Sequence, residues 1–180
     1  MPKGMGFHSL TLIKNSILFP DAYDSRSIKN FFGALSDFDI VVVAGNHDAH
    51  LGEIVNVRIE RELCLDGFTF VHGDKRPSAM DSGYVITAHN HVAVRLKDRN
   101  GRYYDEKAWL IANLSKAKAK EFYYKYNDKS RLVVMPAFND LIMGTPLGKN
   151  RKENLNPLIR SGIFSYRGIQ VYTLRGELVR

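Results

Sequence analysis

Three polar clusters in this chain have residue types that could hold a metal ion and act on a bound substrate. The first is Asn46-His47-Asp48, an amide, an imidazole and a carboxylate in a row. It follows the apolar run Ile40–Ala44 and Gly45. The second is His72, directly after Phe68–Val71, and the third is His89-Asn90-His91, after Tyr84–Thr87. Imidazole nitrogens suit zinc, manganese, iron, cobalt or nickel, and an amide oxygen adds a harder ligand. Any one histidine at a strand end is ordinarily a hydrogen-bonded structural residue. Three clusters, each just beyond an apolar strand, point instead to one shared metal site, because ligand sites in α/β folds collect at the C-terminal ends of strands. His8 and His50 carry no comparable signal and are left out of the site.

The elements that must position these residues can be read from apolar periodicity and turn residues. Ser25 or Ser27 can cap a helix whose face is Ile28, Phe31, Phe32 and Leu35. The strand Ile40–Ala44 is apolar throughout, as expected for a strand covered on both faces. Residues 55–65 alternate loosely and turn at Asp66-Gly67 into Phe68–Val71. Residues 93–97 and 103–107 flank the hairpin signal Asn100-Gly101, and 108–114 reads as a separate buried strand. Ser115 opens a helix to about Tyr126, with Ala119, Phe122, Tyr123 and Tyr126 as its apolar face and lysines around the remainder. Strands follow at 132–135 and 169–174, with a long loop over 144–162, while Leu10, Leu12 and Ile13 suit a short strand. Few helices among many strands predict an α/β sandwich on a mixed sheet, in one domain over residues 1–180.

Composition sets bounds. With 26 Lys and Arg against 19 Asp and Glu the net charge is +7, which permits attraction to phosphate-bearing substrates or nucleic acid and equally suits a solvated basic surface. No apolar run approaches the roughly 20 residues that span a bilayer, so no membrane partner is expected and a cytoplasmic location is the default. The single cysteine, Cys64, excludes an intramolecular disulfide and reads as a small buried hydrophobe.

The three clusters together resemble the calcineurin-like metallophosphoesterases. Gly45-Asn46-His47-Asp48 is similar to that superfamily's GNH(D/E) motif, His72-Gly73 to its lone-histidine motif, and Ala88-His89-Asn90-His91 to its GHxH motif with Ala in place of Gly. Met135-Pro136-Ala137-Phe138-Asn139, followed by Gly144-Thr145, is similar to the archaeal SbcD-related phosphoesterases and their ligase-associated bacterial cousins. The resemblance spans residues 26–174 and leaves 1–25 unassigned. It implies an αββα sandwich of mixed sheets and hydrolysis of a phosphate ester, on nucleic acid or nucleotides, by a metal-bound hydroxide. It further implies that Asn46, His72 and His89 bind one divalent metal and that His91 reaches another. His47 would act as general acid or phosphate clamp, and Asp48 would fix its tautomer.

The same family carries Asp-x-His and Gly-Asp motifs on earlier strands, and residues 1–44 contain neither. Those motifs supply the carboxylates of a two-metal centre, whereas Asn46, His72, His89 and His91 are all neutral. Two adjacent dications without a carboxylate would repel strongly. One ion, manganese first and zinc, iron, nickel or cobalt as alternatives, is therefore expected rather than two. Asp74, two residues after His72, could add a carboxylate but reads better as a turn residue. The sequence suggests a shortened family member lacking the first strands, with apolar surface left uncovered or covered by a second copy or a partner chain. The alternative is a catalytically impaired homologue that serves as a nucleic-acid-binding or scaffold module.

Overall fold

A computed structural model of the chain describes residues 9–13, 25–45, 51–137, 143–147 and 156–179. In chain order these form β1 (Ser9–Ile13), α1 (Ser25–Ala34), β2 (Asp39–Val43), α2 (Leu51–Ile54), β3 (Arg58–Glu60), β4 (Glu62–Leu65), β5 (Phe68–Val71) and β6 (Tyr84–Thr87). After them come β7 (Val92–Lys97), β8 (Tyr103–Asn113), α3 (Lys116–Phe122), β9 (Arg131–Val134), β10 (Thr145–Pro146), α4 (Pro157–Arg160) and β11 (Gln170–Thr173). The fold is α/β with few helices, as the element pattern predicts. No helix among the described residues is long and apolar enough to cross a membrane.

The strands make two sheets. A three-stranded parallel sheet has the order β1-β2-β3, with β2 central. An eight-stranded mixed sheet runs β10-β7-β8-β9-β6-β5-β4, with β11 added against β8. Within it β5, β6 and β9 are parallel neighbours, so all three end at the same edge. Residues 55–65, expected as one loose strand, instead end α2's turn at Val55 and then split into β3 and β4. The chain passes from one sheet to the other at Arg61, between Glu60 in the small sheet and Glu62 in the large one.

The apolar character of β2 follows from its position. Ile40 and Val42 pack with Ile28 of α1, Leu51 of α2 and Val55. Val43 points the other way, into a cluster with Ala88, Leu63, Phe70, Ile86 and Met135 of the large sheet and its edges. That cluster brings the end of β2 against the large sheet. The main core lies on the opposite face of the large sheet, where Val85, Leu110, Leu132 and Val134 pack under Leu158, Ile163 and Phe164. At one corner of the other face, Leu65, Phe68 and Tyr84 are 44%, 37% and 39% exposed, with Phe68 stacked on both Phe70 and Tyr84.

Several local expectations are corrected. Residues 103–114 do not break into two strands: β8 is continuous over 11 residues and pairs with β7 through its first half and with β9 and β11 through its second. The helix opened by Ser115 ends at Phe122 rather than near Tyr126, because Tyr123 turns extended at φ −130°, and the Ser115 side chain makes no cap bond. Phe122, assigned to its buried face, is 41% exposed. Cys64 is exposed, not buried, because β4 is the edge strand of the sheet. The region 144–162 is no uninterrupted loop. It contains β10 and the short helix α4, which starts at Asn156-Pro157 with the Asn156 side chain accepting from Leu158 N. Asparagine at the cap with proline at the first helical position is a strong start signal that the apolar pattern concealed.

Phe164 is fully buried, and Phe164→Ala should destabilise the fold by about 3–5 kcal/mol through transfer and cavity terms. Tyr124→Ala, at a fully exposed position, should change stability by less than about 0.5 kcal/mol. Urea unfolding of both variants checks the assignment of the core.

Candidate active site

The site is built where β5 and β6 end side by side. Their parallel pairing puts the next residues of each strand, His72 and Ala88-His89, at one edge. The His72 carbonyl locks the two ends together by accepting from Ala88 N at 3.2 Å and His89 N at 3.1 Å. The third parallel strand joins through Met135 N, which donates to the Thr87 carbonyl at 2.7 Å.

The side chains follow this backbone. His72 Nε2 and His89 Nδ1 lie 2.8 Å apart, with the rings at 73° and their centroids 4.7 Å apart. At that distance one ring donates an N–H to the lone pair of the other. His72 is only 2% exposed, and on its far side it meets Gly45, just beyond β2. A Cβ on Gly45 would lie 2.5 Å from His72 Nδ1 and Cε1, so only glycine permits the ring to sit there. The approach of β2 to β5 thus holds the His72 imidazole between a backbone and a second imidazole. The expectation that the clusters share one sheet edge holds for His72 and His89. Gly45, just ahead of the first cluster, approaches from the other sheet, across from β5 rather than alongside it.

His91 is held differently. Residues 88–91 form a tight turn, with His91 N reaching the Ala88 carbonyl at 3.5 Å, and His91 itself sits at φ 40° in the left-handed region. A histidine there is uncommon and costs roughly 1–3 kcal/mol. Its carbonyl accepts from Thr145 N at 3.0 Å and is so close to Gly144 that a Cβ there would fall 2.0 Å away. Among the described residues, the buried Oδ1 of the neighbouring Asn90 has no hydrogen-bond partner. Among the described residues, no group of three or more His, Cys, Asp or Glu is placed to hold a metal, so His91 is not assembled with His72 and His89. Asn46, His47 and Asp48, expected to complete the site, lie outside the described residues, as does Asn139.

A cavity of about 590 Å³ opens beside His72. Its wall includes Gly45, Arg61, Glu62, Asp74, Lys75 and Arg76. Glu62 is engaged by Ser78, accepting from its backbone N at 2.7 Å and its hydroxyl at 3.0 Å. Arg76 lies over the Phe122 ring at 4.3 Å from its centroid, and the Tyr123 hydroxyl donates to the Pro77 carbonyl at 3.0 Å. The C-terminal end of α3 therefore fixes the loop that carries Asp74, Lys75 and Arg76. Burial pushes the Tyr123 hydroxyl above its usual value, with the Arg76 charge pulling the other way, which keeps it protonated and donating. Asp74, read as a turn residue, lines the cavity as well.

No family model matches the chain, and no curated protein matches it. Among solved structures it is similar to the crystal structure of Pseudomonas putida nuclease MPE, with 13% identity and a TM-score of 0.48. The likeness covers 84% of this chain and 58% of that one, so the chain spans less than two thirds of that nuclease's length.

Asn156 is a site residue that sequence reasoning missed. It is 2% exposed, and while its Oδ1 caps α4 its Nδ2 donates to Thr87 Oγ1 at 2.8 Å. It braces the end of β6 two residues before His89. The Asn-Pro pair that starts α4 is the signal that could have located it.

Gly45→Ala should displace the His72 ring and lower stability by about 1–3 kcal/mol. Two-dimensional NMR of the imidazole nitrogens should show both His72 and His89 shifted. Unchanged His72 and His89 signals would refute the close approach of β2.

Proposed function

We propose that this protein is a metal-dependent phosphoesterase that hydrolyses phosphodiesters, with a calcineurin-like site in which His72, His89 and Asn46 hold one divalent ion. The observation that carries the reading is the 2.8 Å approach of His72 Nε2 to His89 Nδ1 at the ends of adjacent parallel strands. Two imidazole nitrogens on one ion, each about 2.0–2.1 Å from it, stand roughly 3 Å apart, so the pair fits a shared ion with little movement. The buried Asn90 Oδ1, next in sequence to His89 and without a partner among the described residues, adds a polar oxygen that a donor or cation would satisfy. Manganese suits this mixture of imidazole and amide donors, as do zinc, iron, nickel and cobalt.

When bound, the ion supplies a nucleophilic water near neutral pH and polarises the phosphoryl oxygen. The chain's own residues do the remainder. His72 is fixed by Gly45 and His89, so it presents one nitrogen in one orientation. Lys75, Arg76 and Arg61 place positive charge around the adjacent cavity, where phosphate oxygens carry the charge spread in the transition state. His47 protonates the leaving oxygen, and Asp48 orients it. In this reading the sheets belong to an αββα sandwich related to the SbcD phosphoesterases.

A second reading, a catalytically impaired nucleic-acid-binding homologue, is favoured by one observation: only two metal donors converge among the described residues. Hydrolysis of bis-p-nitrophenyl phosphate separates the two. The phosphoesterase reading expects Mn²⁺-dependent turnover abolished by EDTA and reduced at least about 100-fold in His72→Ala and His89→Ala. Arg76→Ala should lower kcat/KM about tenfold, the loss of one charge-assisted contact. Absence of metal-dependent turnover in the wild type, or full activity in both histidine variants, would contradict it.

A further inference from the structure

The β7–β8 hairpin stands apart from the rest of the large sheet. β10 reaches only Val92 and Ala93 of β7, and β11 and β9 begin at Ala108 and Leu110 of β8. Among the described residues, 94–97 and 103–106 are therefore paired only with each other, as a two-stranded ribbon. The ribbon starts immediately after His91. At about 3.3 Å per residue, β7 carries its tip roughly 20 Å from that edge of the sheet.

The outer part of the ribbon is basic and aromatic. Lys97 and Tyr103 are cross-strand partners on one face, with Lys97 Nζ 5.6 Å from the Tyr103 ring centroid. Tyr103 is 69% exposed, and Tyr104, on the other face, is 47% exposed. Arg99 and Arg102 occupy the turn and are exposed. Of the ribbon's carboxylates, the two nearest the tip cations, Asp98 and Asp105, are engaged within the ribbon, and Glu106 sits farther along, opposite Val94. Asp98 accepts from Asn100 N at 2.9 Å and Arg102 N at 2.8 Å, which shapes the turn. Asp105 is held by Arg95 through two bonds, at 2.8 and 2.9 Å. An isolated ribbon is marginal in water, so these bonds matter to its order. They leave Lys97, Arg99 and Arg102 displayed from a fixed turn beside two solvent-facing tyrosine rings.

We propose that the β7–β8 ribbon is a binding arm for single-stranded nucleic acid, with Lys97, Arg99 and Arg102 on the phosphates and Tyr103 stacking on a base. Exposed aromatics interleaved with cations match unpaired bases on a polyanionic backbone, because each base offers a π-face and each nucleotide a negative charge. The arm's length spans about six stacked nucleotides of one strand. A strand held at the tip can therefore extend along β7 to the histidine edge. The inference deepens the phosphoesterase reading by naming its substrate class.

Fluorescence anisotropy with a labelled 20-mer of thymidine tests it, and since it needs no turnover, a failure of hydrolysis and a failure of binding are separate results. The wild type should bind, and prefer the single strand to a duplex of equal length. Lys97→Ala/Arg99→Ala/Arg102→Ala should weaken binding at least tenfold and reduce the slope of log affinity against log salt by about 2. Tyr103→Ala should weaken it at least fivefold while Tyr103→Phe retains it, since stacking needs the ring and not the hydroxyl. Circular dichroism of each variant verifies folding, and Tyr124→Ala, at an exposed tyrosine outside the ribbon, should bind as the wild type does. No binding by the wild type, equal affinity and salt slope in the triple variant, loss in Tyr103→Phe equal to that in Tyr103→Ala, or a preference for duplex would each overturn the proposal.

Discussion

The structure turns on one contact, the meeting of the two sheets at the His72 ring. The imidazole is almost wholly buried, with the Gly45 backbone on one side and His89 on the other. Burying a polar ring is costly unless its nitrogens are matched, and here one of them is matched by a second histidine. The contact requires β2 to pack against the ends of β5 and β6, which Val43 and Ala88 secure in a shared apolar cluster with Phe70, Ile86 and Met135. It also requires a residue without a side chain at position 45. The site, the joint between sheets and the cavity mouth are consequently one physical feature. A change that loosens the sheet packing must also move the imidazoles.

Around that joint the chain supplies braces from distant positions. Asn156 ties α4 to Thr87 at the end of β6. α3 steadies the cavity loop through Arg76 on Phe122 and the Tyr123 hydroxyl on Pro77. Both supports lie outside the histidine clusters in sequence, and both act on residues within two to five positions of them. The arrangement keeps His72, His89 and the cationic wall on a frame set by strands, while the ribbon beyond His91 projects from the same edge. Charge is distributed to match. The cavity wall and the ribbon tip both present Lys and Arg, whereas several of the nearby carboxylates are engaged in turns or ion pairs.

Much of this was legible in the sequence where a local rule and a long-range consequence coincide. The apolar run of β2, the Asp66-Gly67 turn and the Asn100-Gly101 hairpin each specify their element through residues a few positions apart. The pairing of His72 with His89 was readable because both follow strands directly. Other features were hidden because tertiary context decides them. The crossing between sheets at Arg61 interrupts an alternation that continues in sequence, so β3 and β4 read as one strand. Cys64 lies in an apolar pattern yet is exposed, since an edge position cannot be seen in a period of two. Asn156 looks like a loop residue until α4 and Thr87 give its amide two partners. Where Asn46, His47 and Asp48 stand is outside the described residues, so the first motif remains a proposal about chemistry while Gly45 is an observation about packing.

The central claim is that His72 and His89 are ligands of one divalent ion. Titration of the protein with Mn²⁺, followed by paramagnetic broadening of histidine imidazole NMR signals, tests it most directly. The account predicts that the His72 and His89 signals broaden first, at substoichiometric Mn²⁺, with saturation at one ion per chain. Broadening that begins at surface carboxylates while His72 and His89 stay sharp, or that saturates at two ions per chain, would contradict it.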